Sequence, residues 1–539
     1  MKNALKVQGL AVALMLALTA EAAAVEFGTS PPPSPNFDVS ALQTNQTYTG
    51  FIITYKDGSA ERSHASVAVQ NVGVAVSRAR LMTANRATSR AISVRYGRKL
   101  ATGADLVETD RALSSSEAAT LIRQIAADPA VAFVEPEYML QAVSDIEQEP
   151  EPEPAGAAAF TAPNDDYYGG YQWDYLAANG AGFYDSTQRI DIPNWGGTHT
   201  QDAWRLADGA GITIASLDTG VTNHPDLNLS MVDAGYDFIT AASTSGRATN
   251  GRVPGAWDTG DWVVAGQCSG KAAANSSWHG THVFGTAGGQ VTNNGVGLAG
   301  TAFGARVVPV RVLGHCGGSN ADIADAITWA SGGPVAGVPA NANPAQVISL
   351  SLGGKGTCAA TSTLATAITG AIGRGATVLV AAGNDNADVV NYSPANCPGA
   401  VVVASTGTTG ARSYYSNYGA LVTVAAPGGG VYKNDAASGT QVNTGFIWSA
   451  GNTGKTVPVA GTYNGKAGTS QATPHVAGVV ALMQSYRLSQ GKGLLTPAQV
   501  ASLLKSTASV PHVAPSVGAP IGAGIVHAYA AVQAAGAQP

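Results

Sequence analysis

Six short runs rich in Val, Ile and Leu recur through the second part of the chain, at residues 211–217, 305–313, 346–352, 376–382, 400–405 and 421–426. Helical stretches separate several of them, at 320–331 and 361–374. Strands that are apolar along most of their length and alternate with helices are buried on both faces. That requires a mostly parallel sheet covered by helices on both sides. The fold class expected for residues 164–539 is therefore α/β. In such sheets chemistry gathers beyond the carboxyl ends of the strands, so the residues that follow each run matter most.

Asp218-Thr219-Gly220 follows the first run. An aspartate there is well placed to accept a hydrogen bond, although Asp and Gly are also ordinary turn residues. His279-Gly280-Thr281-His282-Val283 opens a helical stretch. It puts a histidine, the side chain best suited to act as a base near neutral pH, in a first turn. Two histidines three apart could instead bind a metal, but no HExxH pattern or third ligand cluster accompanies them. His282 and His475 read as structural histidines. Ala381-Ala382-Gly383-Asn384 closes the fourth run.

The stretch Gly468-Thr469-Ser470-Gln471-Ala472-Thr473-Pro474-His475-Val476-Ala477-Gly478 reads as a serine at the start of a buried helix. Gly468 would supply backbone freedom at the turn, and Pro474 is tolerated in a first turn. A lone serine alcohol is a poor nucleophile and needs a base and an orienting acid. A helix N-terminus suits an oxyanion forming beside it.

Asp, His and Ser thus occur in that order, each at an element boundary. With DTG, HGTHV and GTSxATPHVAG in one chain, residues of about 164–535 resemble the subtilisin-like serine peptidases. The resemblance implies that Ser470 is the nucleophile, His279 the general base and acid, and Asp218 its orienting partner. Asn384 would donate to the oxyanion. Gly317, Gly318, Ser351, Leu352 and Gly353 would bind an extended peptide, with Ala381, Ala382 and Gly383 helping to wall the pocket for the residue before the scissile bond. Asp385 would favour a basic side chain there. No cofactor is implied for catalysis. Structural calcium is, with Asp226 as a candidate ligand, although the loop 293–296 resembles the family's partner loop only loosely. Gln471 stands where the family commonly has methionine. An esterase is disfavoured, since no GxSxG surrounds Ser470 and the order of the three residues differs. A secreted scaffold is disfavoured because all four catalytic positions are filled.

The remainder of the chain fits that picture. Residues 1–24 look like a secretory signal, with Lys2 and Lys6 before a short apolar core. No later run is long enough to anchor the chain in a membrane. The expected location is outside the cell, with or without a periplasmic stage. Residues 25–143 hold a small α+β unit, with strands at 51–55 and 131–136 and a helix at 115–126; the period of 65–82 is ambiguous. Its ends resemble the inhibitor-type propeptide of these peptidases, implying a folding assistant and tethered inhibitor. The acidic, proline-rich run at 147–154 lies in a linker, 144–163, expected to be extended and to carry the activation cut. No binding role attaches to it.

Charged residues are only 12% and the net charge is −6, which leaves no basic footprint for nucleic acid. The partners expected are protein or peptide substrates and the chain's own propeptide, with the enzyme a monomer. Four cysteines behind a signal favour two disulfides, and the absence of any CxxC pair argues against zinc. Among three pairings, the resemblance favours Cys268–Cys316 and Cys358–Cys397, each beside a loop bordering the cleft.

Overall fold

The structure, a computed structural model, describes residues 35–82, 91–143, 145–148, 162–268 and 271–539. The signal-like segment 1–24 and most of the linker lie outside them. Eight strands form the central sheet in the order Val253–Pro254, Tyr236–Asp237, Arg306–Arg311, Thr213–Asp218, Val347–Leu350, Thr377–Ala381, Val401–Thr406 and Val424–Pro427. All neighbours pair in parallel except the two-residue edge strand Val253–Pro254. Each of the six apolar runs overlaps one of these strands.

From Thr213–Asp218 the chain builds towards one edge, then returns to its other side at Val347–Leu350 and builds the opposite way. The point where strand order reverses leaves a crevice at the carboxyl ends, and Asp218 stands there.

One helix fills the middle of one face. Thr469–Ser489 is buried over nearly its whole length, which suits a helix that is apolar or small on every side. It packs across the strands Val347–Leu350, Thr377–Ala381, Val401–Thr406 and Val424–Pro427. Asn320–Ala330 and Thr363–Gly373 pack against each other and contact the sheet.

Pro474 lies six residues into the long helix rather than in its first turn. It has no N–H to give the carbonyl of Ser470 four residues earlier. The Ser351 hydroxyl donates to that carbonyl instead, at 2.9 Å. Gly468 is extended, with φ of 177°, so backbone freedom does not explain it. Space does: a Cβ there would stand 2.4 Å from an Asp145 carboxylate oxygen and 2.8 Å from Asn384 Nδ2.

The residues before 143 form the small α+β fold. Its antiparallel sheet runs Val94–Lys99, Asp105–Ser114, Thr47–Tyr55, Val131–Pro136. The helix Ser115–Ala126 begins with a capping box between Ser114 and Glu117. The ambiguous stretch is a helix, Ala65–Arg78, burying Ala68, Val72, Ala75 and Val76. Their spacing is helical, but alanines and interspersed valines blur it. Val94–Lys99 was not anticipated because three of its six residues are charged and hide the apolar alternation of a strand.

This sheet sits over two helix starts of the larger fold. A Glu135 carboxylate oxygen accepts from the backbone N–H of Thr363 at 2.7 Å. Asn320 and Tyr138 exchange two hydrogen bonds, at 3.0 and 3.1 Å. Arg98 and Arg252 both pair with Asp322 and Asp325.

The disulfides are Cys268–Cys316 and Cys358–Cys397, closing spans of 48 and 39 residues. Replacing Cys358 and Cys397 together by Ala is expected to cost about 2–4 kcal/mol of unfolding free energy, because a loop of this length then regains its freedom in the unfolded chain. Denaturant titration of the double variant against the parent checks this.

Candidate active site

Asp218 is the last residue of its strand and is buried. One carboxylate oxygen accepts from the backbone N–H of Thr219 at 2.8 Å and lies 2.7 Å from His279 Nδ1. That contact fixes Nδ1 as the protonated nitrogen when the ring is neutral and leaves Nε2 to face the cleft. The helix His279–Phe284 starts after Trp278, whose indole donates to the Gly454 carbonyl at 2.6 Å. Thr219 Oγ1 accepts from the Gly280 N–H at 2.9 Å and donates to Asp258 at 2.6 Å. Asp258 comes from the stretch between Asp218 and His279, and sequence reasoning missed it. Burial, reinforced by Asp261, pushes its carboxyl up to about 7.

Ser470 sits at the start of the long helix with its hydroxyl 3.3 Å from the carbonyl oxygens of both Val143 and Ser351. Asn384 follows the strand Thr377–Ala381. Its side-chain oxygen accepts from the N–H and the hydroxyl of Thr469, each at 2.9 Å. The side-chain amide of Asn384 is thereby held beside Gly468 and Ser470.

The chain's own residues 139–143 and 145–148 lie in this cleft. Met139–Ala142 lies antiparallel between Gly318–Ser319 and Leu352–Lys355, with Leu140 opposite Gly318 and Gln141 opposite Gly353. The Val143 N–H continues to the Ser351 carbonyl at 3.3 Å. Gly317 has φ of +98°, and a Cβ on it would stand 2.1 Å from the Leu140 carbonyl oxygen. Beyond Ser470 the chain resumes as Ile146–Gln148, antiparallel to Gly461–Ala467. The start of the acidic segment, to which no binding role was attached, is therefore docked as an extended strand.

Asp145 sits at the centre of the crossing, where burial raises its carboxyl above the usual range although His279 and Lys466 pull it down. Its carboxylate lies 3.2 Å from His279 Nε2 and accepts from Gln471 Nε2 at 3.2 Å. Burial works against the His279 imidazolium, but the carboxylates of Asp218 and Asp145 more than offset it and hold the ring up at about 9. His279 thus lies between two carboxylates, one on each ring nitrogen.

A cavity of about 340 Å³ opens beside Val143, lined by Gly353, Gly354, Ala381, Ala382, Gly383 and Asn384 among others. Asp385 also lines it and accepts a hydrogen bond from the Tyr392 hydroxyl. The geometry brings together Asp218, His279, Ser470, Asn384 and the glycine-rich stretches singled out above.

A family model for the subtilase family matches residues 209–524. The chain is 45% identical to an extracellular protease of Xanthomonas campestris pathovar campestris, over 92% of this chain and 74% of that protein. The chain belongs to the subtilase family. It is 35% identical to thermitase of Thermoactinomyces vulgaris over 60% of its own length and 85% of the relative. A solved protease of Pseudoalteromonas arctica is 46% identical with a TM-score of 0.61, covering 70% of this chain and all of that one. This subtilase is a serine protease, a hydrolase of peptide bonds. Among its described residues no helix is long and apolar enough to cross a membrane.

Asp226 lies away from the cleft. Its carboxylate accepts from the Leu298 N–H at 3.0 Å and from the Asn294 amide at 3.3 Å. Donors rather than oxygen ligands face it, whereas calcium needs six to eight oxygens. No group of three or more His, Cys, Asp or Glu side chains converges on a metal-sized site among the described residues. The residues present at Asp226 do not fit the calcium ion expected there.

Behind the long helix, His475 Nε2 lies 2.7 Å from Asp174, and its Nδ1 lies 2.7 Å from the Gln471 carbonyl. Asp174 was also missed; its only sequence signal is a place between Trp173 and Tyr175, both fully buried. Asp174→Ala is expected to cost about 2–3 kcal/mol by leaving the imidazole without its partner. Asp174→Asn should cost less. Unfolding both in a Ser470→Ala background, which avoids self-digestion, tests the order.

Proposed function

We propose that this subtilase is a secreted serine endopeptidase made as a self-inhibited precursor, with Asp218, His279 and Ser470 as its triad. One observation carries the reading: the chain's own segment crosses the cleft as an extended strand and brings a carbonyl to 3.3 Å from Ser470 Oγ. Residues 25–143 act as folding assistant and inhibitor, and the linker leads from that inhibitor to the enzyme. The name of the Xanthomonas relative supports action outside the cell.

In this mechanism His279 Nε2 removes the Ser470 proton as the hydroxyl attacks the peptide carbonyl. Asp218 keeps the ring in the needed tautomer and stabilises the imidazolium that forms. The oxyanion is met by the Asn384 side-chain amide and the Ser470 backbone N–H at the positive end of the helix. His279 then passes its proton to the leaving amine, and water releases the acyl group by the same steps in reverse. Substrate enters as a strand between Gly317–Ser319 and Ser351–Gly353, which reads backbone more than side chain. Its residue before the cut faces the mainly apolar cavity at Ala381–Gly383. With the Asp385 carboxylate engaged by Tyr392, a basic preference there is no part of the proposal. Catalysis uses no cofactor, and any structural calcium would bind elsewhere than at Asp226.

The first cut is intramolecular and falls at the bond after Val143, whose carbonyl oxygen lies 3.3 Å from Ser470 Oγ. Expressed without residues 1–24, the parent should trim itself after Val143 and digest casein, while Ser470→Ala does neither. Asn384→Ala should process and digest about 10² to 10³ times more slowly. A folded parent that neither trims nor digests would overturn the reading.

Asp145 makes the first cut pH-dependent. The base must be neutral, and a pKa held at about 9 leaves little neutral imidazole at pH 7. The self-cleavage rate should therefore climb with pH to a midpoint near 9. Asp145→Asn removes one of the two carboxylates and should move that midpoint down. Following chain size against pH for both precursors measures the shift.

A further inference from the structure

On the far side of Ser470 the cleft contains a buried cation that the triad does not use. Lys466 lies in the strand Gly461–Ala467, and its side chain is 0% exposed while the linker is bound. Its ammonium pairs with the Glu147 carboxylate and donates to the Ser277 carbonyl at 2.8 Å. The two residues stand directly opposite in the antiparallel pairing, Glu147 to Lys466, the arrangement in which opposite charges meet across strands. Both line a cavity of about 600 Å³ that continues to His279.

Once the cut is made and this segment leaves, Lys466 loses its carboxylate. Ser277 offers only a neutral carbonyl. The nearby Asp261 is already engaged, its two oxygens accepting from the Ser277 N–H and hydroxyl at 2.6 and 2.8 Å. The other lysine of the cavity, Lys271, bonds to Gln141 on the opposite side of Ser470. A cation held in such a recess favours any occupant that brings an anion, because an unpaired buried charge is costly.

We propose that Lys466 is a specificity-determining residue that selects, in protein substrates, an acidic side chain at the position Glu147 occupies, the fourth residue after the cut bond. This rests on the endopeptidase reading above. A charge-assisted hydrogen bond in a cleft still open to solvent supports a preference of about tenfold. The preference weakens in high salt, since the Glu147 side chain is half exposed.

The test uses mature enzyme and internally quenched peptides that copy residues 138–148, in three forms: the native sequence, Glu147→Gln and Glu147→Lys. Mass spectrometry locates the cut, and kcat/KM is measured for each. The expected order is Glu, then Gln, then Lys, with Glu about tenfold over Gln. Lys466→Met should bring the Glu-to-Gln ratio close to one, and Lys466→Glu should favour the lysine peptide. Ratios within one enzyme are independent of how much of a variant folds. If neither variant folds, the wild-type order alone decides. A peptide with a fluorogenic amine directly after the acyl residue has nothing beyond the cut and reports triad chemistry separately. Wild type that cleaves it yet treats the three peptides alike overturns the role of Lys466 only. Wild type that cleaves neither it nor casein overturns the endopeptidase reading, and this proposal with it.

Discussion

The site depends on burying the helix Thr469–Ser489 across the carboxyl-terminal half of a parallel sheet. A helix enclosed on every side has one position open to it, and that position fixes where its first turn points. Here the first turn delivers Ser470 to the crevice where strand order reverses, beside the ends of the strands that carry Asp218 and Asn384. Pro474 takes part through what it lacks. By leaving the Ser470 carbonyl without a helical partner, it lets Ser351 tie the serine to the strand edge on which a peptide would lie. Asp174 anchors the same helix from behind through His475.

Backbone pairing dominates the unprimed side of the cleft, and charge dominates the other. Met139–Ala142 is held between two strand edges whose glycines allow close approach. Past Ser470, Asp145 and Glu147 meet His279, Gln471 and Lys466. One segment therefore pairs along both strand edges of the cleft and also sets a second carboxylate against His279. The small α+β fold adds a third hold by satisfying exposed groups at the starts of Asn320–Ala330 and Thr363–Gly373.

Most of the sheet and the core of the site were legible in the sequence, for local reasons. Doubly buried strands leave unbroken apolar runs, and all six runs overlap strands. Asp218, His279, Asn384 and Ser470 each sit where an element begins or ends, so short motifs mark them. The disulfides followed from resemblance, since four cysteines alone allow three pairings. Readings that relied on one residue's usual habit did worse. Gly468 was expected to serve conformation and serves space; Pro474 was expected in a first turn and lies deeper. Asp226 carries a family-like motif, but its surroundings donate hydrogen bonds where an ion would need oxygens.

The sequence by itself determined the fold class, the order of the chemical groups and the presence of small α+β structure before an acidic segment. These depend on periodicity and local motif, which a linear chain displays. Only the tertiary structure decided that Asp145 would face His279, that Glu147 would meet Lys466 and that Asp258 would brace the loop after Asp218. Those partners lie tens to hundreds of residues apart, and the segment joining the two domains carries no pattern that names its destination. Its place follows from strand edges, a crevice and a buried cation that exist only once the larger domain has closed around them.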